Sequence, residues 1–247
     1  MQIFEPFIWG FDDLEAIFFM TLLLLLYFAD IPYLGNEVPF YLCRMTRKIW
    51  LAGQVVYIVC ATAIYTVAIL LSTILICGQR CYVGNIWSET AVKLAFTSAG
   101  KKLSLAASEK TLELTRPYAC MTTIFFLLFA YALVMVLLIF WFRILWNELA
   151  GMIAGVVFNG ISFIFSPGVL QKLLGISERK SYLANVAAGW ISPLSHATYH
   201  LHNFGYDRLP SLRDSGIYDM VLVIVLILLN LYSIRTYHFV FDGTGER

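Results

Sequence analysis

The stretch Ser192-Pro-Leu-Ser-His-Ala-Thr-Tyr-His-Leu-His-Asn-Phe-Gly-Tyr-Asp207 holds three of the chain's four histidines. His196 and His200 stand at i,i+4, the spacing that puts two imidazoles on one face of a helix. Two imidazoles with His202 or Asp207 as a third donor make a set of the kind that zinc and related metals take. Against that, the chain has no His-Glu-x-x-His pattern. Membrane di-iron enzymes use several histidine clusters, whereas here the fourth histidine, His238, stands alone. The competing reading makes His196, His200, His202, Asn203 and Asp207 a hydrogen-bonded extracytoplasmic cap whose imidazoles donate to backbone carbonyls. Ser195 beside His196 lacks the elbow motif and the partner carboxylate that a nucleophilic serine needs. Gly100-Lys101-Lys102 is no phosphate loop either, because no Ser or Thr follows the lysines and the upstream glycine is missing. No cofactor is expected, and no catalytic role for the chain itself.

A second cluster is basic and aromatic. Pro32 and Pro39 stop any helix entering from the N-terminal side. Residues 38–50 then place Tyr41, Met45, Lys48 and Ile49 on one side of a short helix, with Arg44 and Arg47 beside them and Trp50 at its end. Its last turn runs into the next apolar run without a break. A short amphipathic piece joined rigidly to a membrane helix suits a lever on which a partner pushes; the plainer reading is a membrane-flanking anchor for anionic lipid.

These residues need elements to position them, and composition says which. Of 247 residues, 60% are hydrophobic and 13% charged, with a mean hydropathy of +0.76; soluble chains carry about 25% charge and about 45–50% apolar residues. The apolar residues come in blocks near the ~20 residues a spanning helix requires. The expected fold is therefore an all-α, polytopic helical membrane protein of one transmembrane domain. Five spans are expected, at about 14–31, 49–78, 118–142, 149–166 and 217–235, with extracytoplasmic regions at 79–117 and 168–216. The second region reads as broken, re-entrant helices, tolerated only when buried in protein or lining a cavity. Met1 to Gly10, apolar but interrupted by Pro6, reads as interfacial. Gly151 and Gly155, with Gly160 beyond them, form a small-residue face for close helix packing, either inside the bundle or against a second subunit.

Charged residues inside the spanning runs are essentially missing, which argues against a carrier working by titratable groups. A net charge of +1 gives no reason to expect nucleic acid. Cys43, Cys60, Cys77, Cys81 and Cys120 form no CxxC pair. The N-terminus is acidic rather than basic, so no cleavable leader is expected. Arg44, Arg47, Lys48, Arg143, Arg235 and Arg247 flank the membrane in short connections on one side, while the other eleven of the 17 basic residues are spread over two long loops with six acids among them. By number alone the positive-inside rule favours the loop side as cytoplasmic, but the tight placement of the six against the membrane puts the basic segment 38–50 in the cytoplasm of a plasma-membrane protein.

With this layout, and in particular Tyr41-Leu-Cys-Arg-Met-Thr-Arg-Lys-Ile-Trp-Leu-Ala-Gly-Gln54 and Ser195-His-Ala-Thr-Tyr-His-Leu-His-Asn-Phe-Gly-Tyr-Asp207, the chain resembles the permease subunit of ABC-2 type exporters, as found in uncharacterised Firmicutes-type permeases. The resemblance implies a separate ATP-binding cassette ATPase that presses on Tyr41 to Trp50, and a second permease subunit, identical or not, across the path. Tyr41, Arg44, Met45, Arg47, Lys48 and Trp50 would carry the coupling, with membrane lipid as the other partner of the basic side chains. The family usually has six spans where five are visible here, which points to a late start at Met1, a fragment or a shortened subunit. Alternatives are a membrane-bound metalloenzyme built on His196, His200 and His202, or an accessory or immunity protein that binds a peptide on its outer surface.

Overall fold

The computed structural model describes residues 1–32, 44–97, 100, 108–175 and 177–237. They form helices and no strand, with one isolated parallel bridge between Gln2 and Tyr82. The helices are α1 (Glu5–Phe11), α2 (Leu14–Tyr27), α3 (Arg47–Cys77), α4 (Glu89–Phe96), α5 (Glu109–Leu114), α6 (Pro117–Leu145), α7 (Glu148–Ile164), α8 (Pro167–Leu173), α9 (Ser181–Ile191), α10 (Pro193–Ala197) and α11 (Leu212–Ser233).

Three of them, α3 (extended by its terminal 3-10 turn), α6 and α11, are long and apolar enough to cross a membrane among the described residues, and α7 with α8 makes a fourth if that pair, bent by 73°, is one span. The expected fifth, α2, is apolar but has 14 residues, short of a spanning length by itself. The chain is therefore a helical membrane protein, with three helices of full spanning length among the described residues, or four if the bent pair is one span.

Local chemistry sets the boundaries. Thr46 caps α3, so the helix begins at Arg47 and takes the basic residues into its own first turn. Asn147 accepts the Ala150 N–H at 2.8 Å and starts α7 right after α6 ends. Ser166-Pro167 ends α7 and opens α8, since a proline is tolerated in a first turn and nowhere deeper. Ser211 and Asp214 form a reciprocal capping box, which starts α11 at Leu212 rather than near Ile217.

Helix α6 is the centre. Of its spanning window 61% is buried, against 22% for both α3 and α11. It is apolar on every side, as a helix enclosed by others must be, and α1, α2, α3, α7, α10 and α11 pack around it. Gly151 and Gly155 let α7 approach. A Cβ at Gly151 would fall 2.8 Å from the Ile139 carbonyl oxygen, and one at Gly155 2.7 Å from Leu25 Cδ2. That packing is within the bundle. Gly160 takes no part in it: a Cβ there meets nothing within 4 Å.

A polar tie crosses the apolar core. Tyr131 of α6 donates to Asn159 Oδ1 of α7 at 2.7 Å, and Asn159 Nδ2 donates to Thr21 Oγ1 of α2, also at 2.7 Å. All three side chains are fully enclosed, so each link matters because no water replaces it.

Candidate functional site

The chain gathers its polar groups at two ends. At one end lie Arg44, Arg47, Lys48, Arg143 and Arg235. Arg44, Arg47 and Lys48 are exposed, Met45 is half-buried, and Trp50 is buried against Phe140. Tyr41, with the rest of 38–43, lies outside the described residues. From Arg44 to Trp50 there is no separate coupling helix; Arg47, Lys48 and Trp50 belong to the first turn of α3. Arg47 Nη1 donates to the Arg235 carbonyl at 2.5 Å and to that of Ile234 at 3.4 Å, tying the start of α3 to the end of α11. Buried Arg143 uses Nη1 on the carbonyls of Phe28, Ala29 and Ile31, in the turn that follows α2.

The other end is a cap built from four pieces of chain. Glu5, fully buried, accepts the N–H of Ser88 and the Ser88 hydroxyl at 2.7 Å each, and the N–H of Gln2 at 3.0 Å, which seats α1 on the start of α4. Asp12, between α1 and α2, accepts the His200 N–H at 2.7 Å. Lys110 of α5 bridges the Asp207 carboxylate (2.7 Å) and the His202 carbonyl (3.1 Å). Asn203 turns inward on its own loop, its Oδ1 accepting from the N–H groups of Gly205 and Asp207; Gly205 sits at φ +107°, where a side chain would be strained.

The three histidines part company. His196 Nδ1 and His202 Nε2 each stand 2.8 Å from the Ser215 hydroxyl oxygen of α11. Their other ring nitrogens reach the carbonyls of Trp190 (3.2 Å) and Tyr199 (3.1 Å). His200 faces Asp12 instead, with Nδ1 at 2.7 Å from its carbonyl. Among the described residues no group of three or more His, Cys, Asp and Glu side chains is arranged to hold a metal ion.

Burial lowers the proton affinity of His196 and pushes that of His202 down to about 4, so both imidazoles are neutral at physiological pH. His200 is also buried, which pulls the same way, but its bonds to Asp12 outweigh this and raise it above its ordinary value. Tyr218 stacks on His196 at 4.2 Å between centroids.

The spacing of the histidines did not show where they turn. Ser215, the shared partner, has a signal in hindsight: the Ser211-x-x-Asp214 pattern marks the helix start that puts Ser215 on the first turns of α11. One expectation is overturned. Asp219 lies inside α11, one turn beyond Ser215, 2% exposed and with Oδ2 unpartnered; charged residues are not missing from the spanning helices. Its neighbours are the hydroxyl-bearing rings Tyr131 and Tyr218.

No family model, curated protein or solved structure matches this chain.

Proposed function

We propose that this chain is the membrane-spanning permease subunit of an ATP-driven, ABC-2 type exporter in the plasma membrane, energised by a separate ATP-binding cassette subunit and paired with a second permease subunit. What carries the reading is the continuity of α3. It runs unbroken from Arg47 to Cys77, 31 residues, or about 46 Å of rod at 1.5 Å per residue. Its basic start is tied through Arg47 to the end of α11. A push on the exposed Arg44 and Lys48 therefore moves two spanning helices together, and the cap at their far ends responds. The cation cluster is the natural seat for acidic side chains of a motor, or for anionic headgroups between strokes.

The test leaves Arg47 in place, because it holds α11. Tagged full-length chain is purified from native membranes, and an ATP-binding cassette protein is sought with it. The variant Arg44→Glu/Lys48→Glu keeps its expression and its thermal midpoint but loses the bound ATPase. Absence of any such ATPase from the wild-type preparation, or unchanged capture by the double variant, defeats the reading, as does a topology that places Arg44 outside the cell.

A further inference from the structure

The His196–Ser215–His202 chain contains one proton too few. It has four contacts: Trp190 carbonyl to His196 Nε2, His196 Nδ1 to Ser215 Oγ, Ser215 Oγ to His202 Nε2, and His202 Nδ1 to the Tyr199 carbonyl. Each contact requires one hydrogen between its heavy atoms. A carbonyl only accepts, so His196 Nε2 and His202 Nδ1 must carry the ring protons. A neutral imidazole has no second N–H, which leaves His196 Nδ1 and His202 Nε2 as bare lone pairs aimed at the same hydroxyl. Ser215 has one hydrogen and satisfies one of them. The other contact, at 2.8 Å, sets lone pair against lone pair. Swapping a tautomer only moves the defect to a carbonyl.

We propose that His196, Ser215 and His202 form a buried proton-binding site, which takes up a single proton and shares it between the two imidazoles across the serine hydroxyl. Uptake breaks an O–H bond of hydronium, leaves water, and forms N–H on one ring. All four contacts are then hydrogen bonds. In one form His196 Nδ1–H donates to Oγ while Oγ–H donates to His202 Nε2. Moving one proton from nitrogen to oxygen and the other from oxygen to nitrogen gives the mirror form. The serine stays neutral throughout, and the positive charge passes from one ring to the other.

The surroundings set the strength of the site. On α11, Asp214 attracts the proton, Arg213 offsets it, and Asp219 and Tyr218 lie along the same face. From the turn at Tyr199–Leu201, His200 repels it and Tyr199 lends its carbonyl. Lys110 of α5 sits on the His202 carbonyl, Asp207 holds that lysine, and Asp12 and Asp13 hold His200. Helix α9 contributes the Trp190 carbonyl, and α6 brings Cys120 and Tyr131 to Tyr199 and Asp219. Completion of the chain therefore opposes the burial that holds both rings below their ordinary value.

The site stands independently of the transporter reading, because a proton binds with no ATPase present. Full-length protein carrying isotope-labelled histidine, in lipid nanodiscs, is titrated by NMR from about pH 8 to about pH 4, the range that brackets imidazole ionisation. The His196 and His202 rings are expected to shift together at one midpoint, with one proton taken up between them. In Ser215→Ala the two transitions separate and move to lower pH. Should that variant fail to fold, His202→Gln serves instead: the remaining contacts are then satisfied by neutral groups, and the proton affinity of His196 falls at least tenfold. Two independent wild-type transitions, no uptake over that range, or midpoints indifferent to both substitutions would overturn the proposal.

Discussion

The Asp12 carboxylate accepts the backbone N–H of His200 at 2.7 Å, across 188 positions of sequence, while the imidazole Nδ1 stands 2.7 Å from the carbonyl of the same aspartate. One residue at the α1–α2 junction thus holds both the chain and the ring of the cap. Asp12→Asn keeps the shape and removes the charge. The His200 midpoint, raised in the native protein by Asp12, is expected to drop to its ordinary value or below, since burial alone opposes the charged form. Histidine NMR of the variant reads this directly; an unmoved midpoint would mean that the ion pair does not act on the ring.

Stability should respond to pH with opposite signs at the two kinds of histidine. His196 and His202 have native values below the unfolded 6.5. Between those values the unfolded chain binds more protons, so their contribution is complete above about pH 6.5 and fades as pH falls toward about 4. His200 is raised, so its contribution is complete below 6.5 and is lost as pH rises through its native value. Thermal midpoints in detergent should therefore fall on the acid side in wild type and fall less in His202→Gln. In Asp12→Asn the alkaline loss should vanish.

At Gly151 an added methyl would lie 2.8 Å from a backbone oxygen, Ile139 O, which cannot step aside. Gly151→Ala is expected to cost about 1–3 kcal/mol, the range for overpacking a tight contact. Gly155→Ala meets the tip of Leu25, which can rotate, and should cost less. Gly160→Ala meets nothing and should be neutral, or stabilising by up to about 1 kcal/mol through helix propensity. Unfolding midpoints of the three variants should fall in that order.

Arg143 of α6 holds the turn that follows α2. Arg143→Met leaves the carbonyls of Phe28, Ala29 and Ile31 without their buried donor, at a cost of about 2 kcal/mol or more. Arg143→Lys should recover part of this as a point charge without the planar fork. Proteolysis next to residue 32 checks the local effect, and the thermal midpoint checks the global one.

The helical membrane class was legible because apolar runs of spanning length leave little else to build. The start of α7 was legible to within a residue or two from the turn at Asn147 and Glu148, whereas the cap at Thr46, which starts α3 at Arg47, was read as lying inside a helix over 38–50. The histidine cap was less legible. His196, His200 and His202 share a segment, yet their partners come from α11 and from the α1–α2 junction, and spacing says nothing about contacts so distant in sequence. Asp219 was hidden by its setting: a single acid in a strongly apolar run leaves the average untouched while sitting on the enclosed face. The same holds for Arg143, which reads as a turn marker until the turn after α2 is found to rest on it.

The enclosure of α6 has a consequence for biosynthesis. The helix at the centre of the bundle emerges from the ribosome after α3, with α7 following at once and α11 only much later. Until α11 is made, the flank of α6 that it covers has only lipid or the insertion machinery as company. Nascent chains stalled before residue 212 should therefore be recognised by quality-control proteases, whereas release of α11 should confer resistance in a single step.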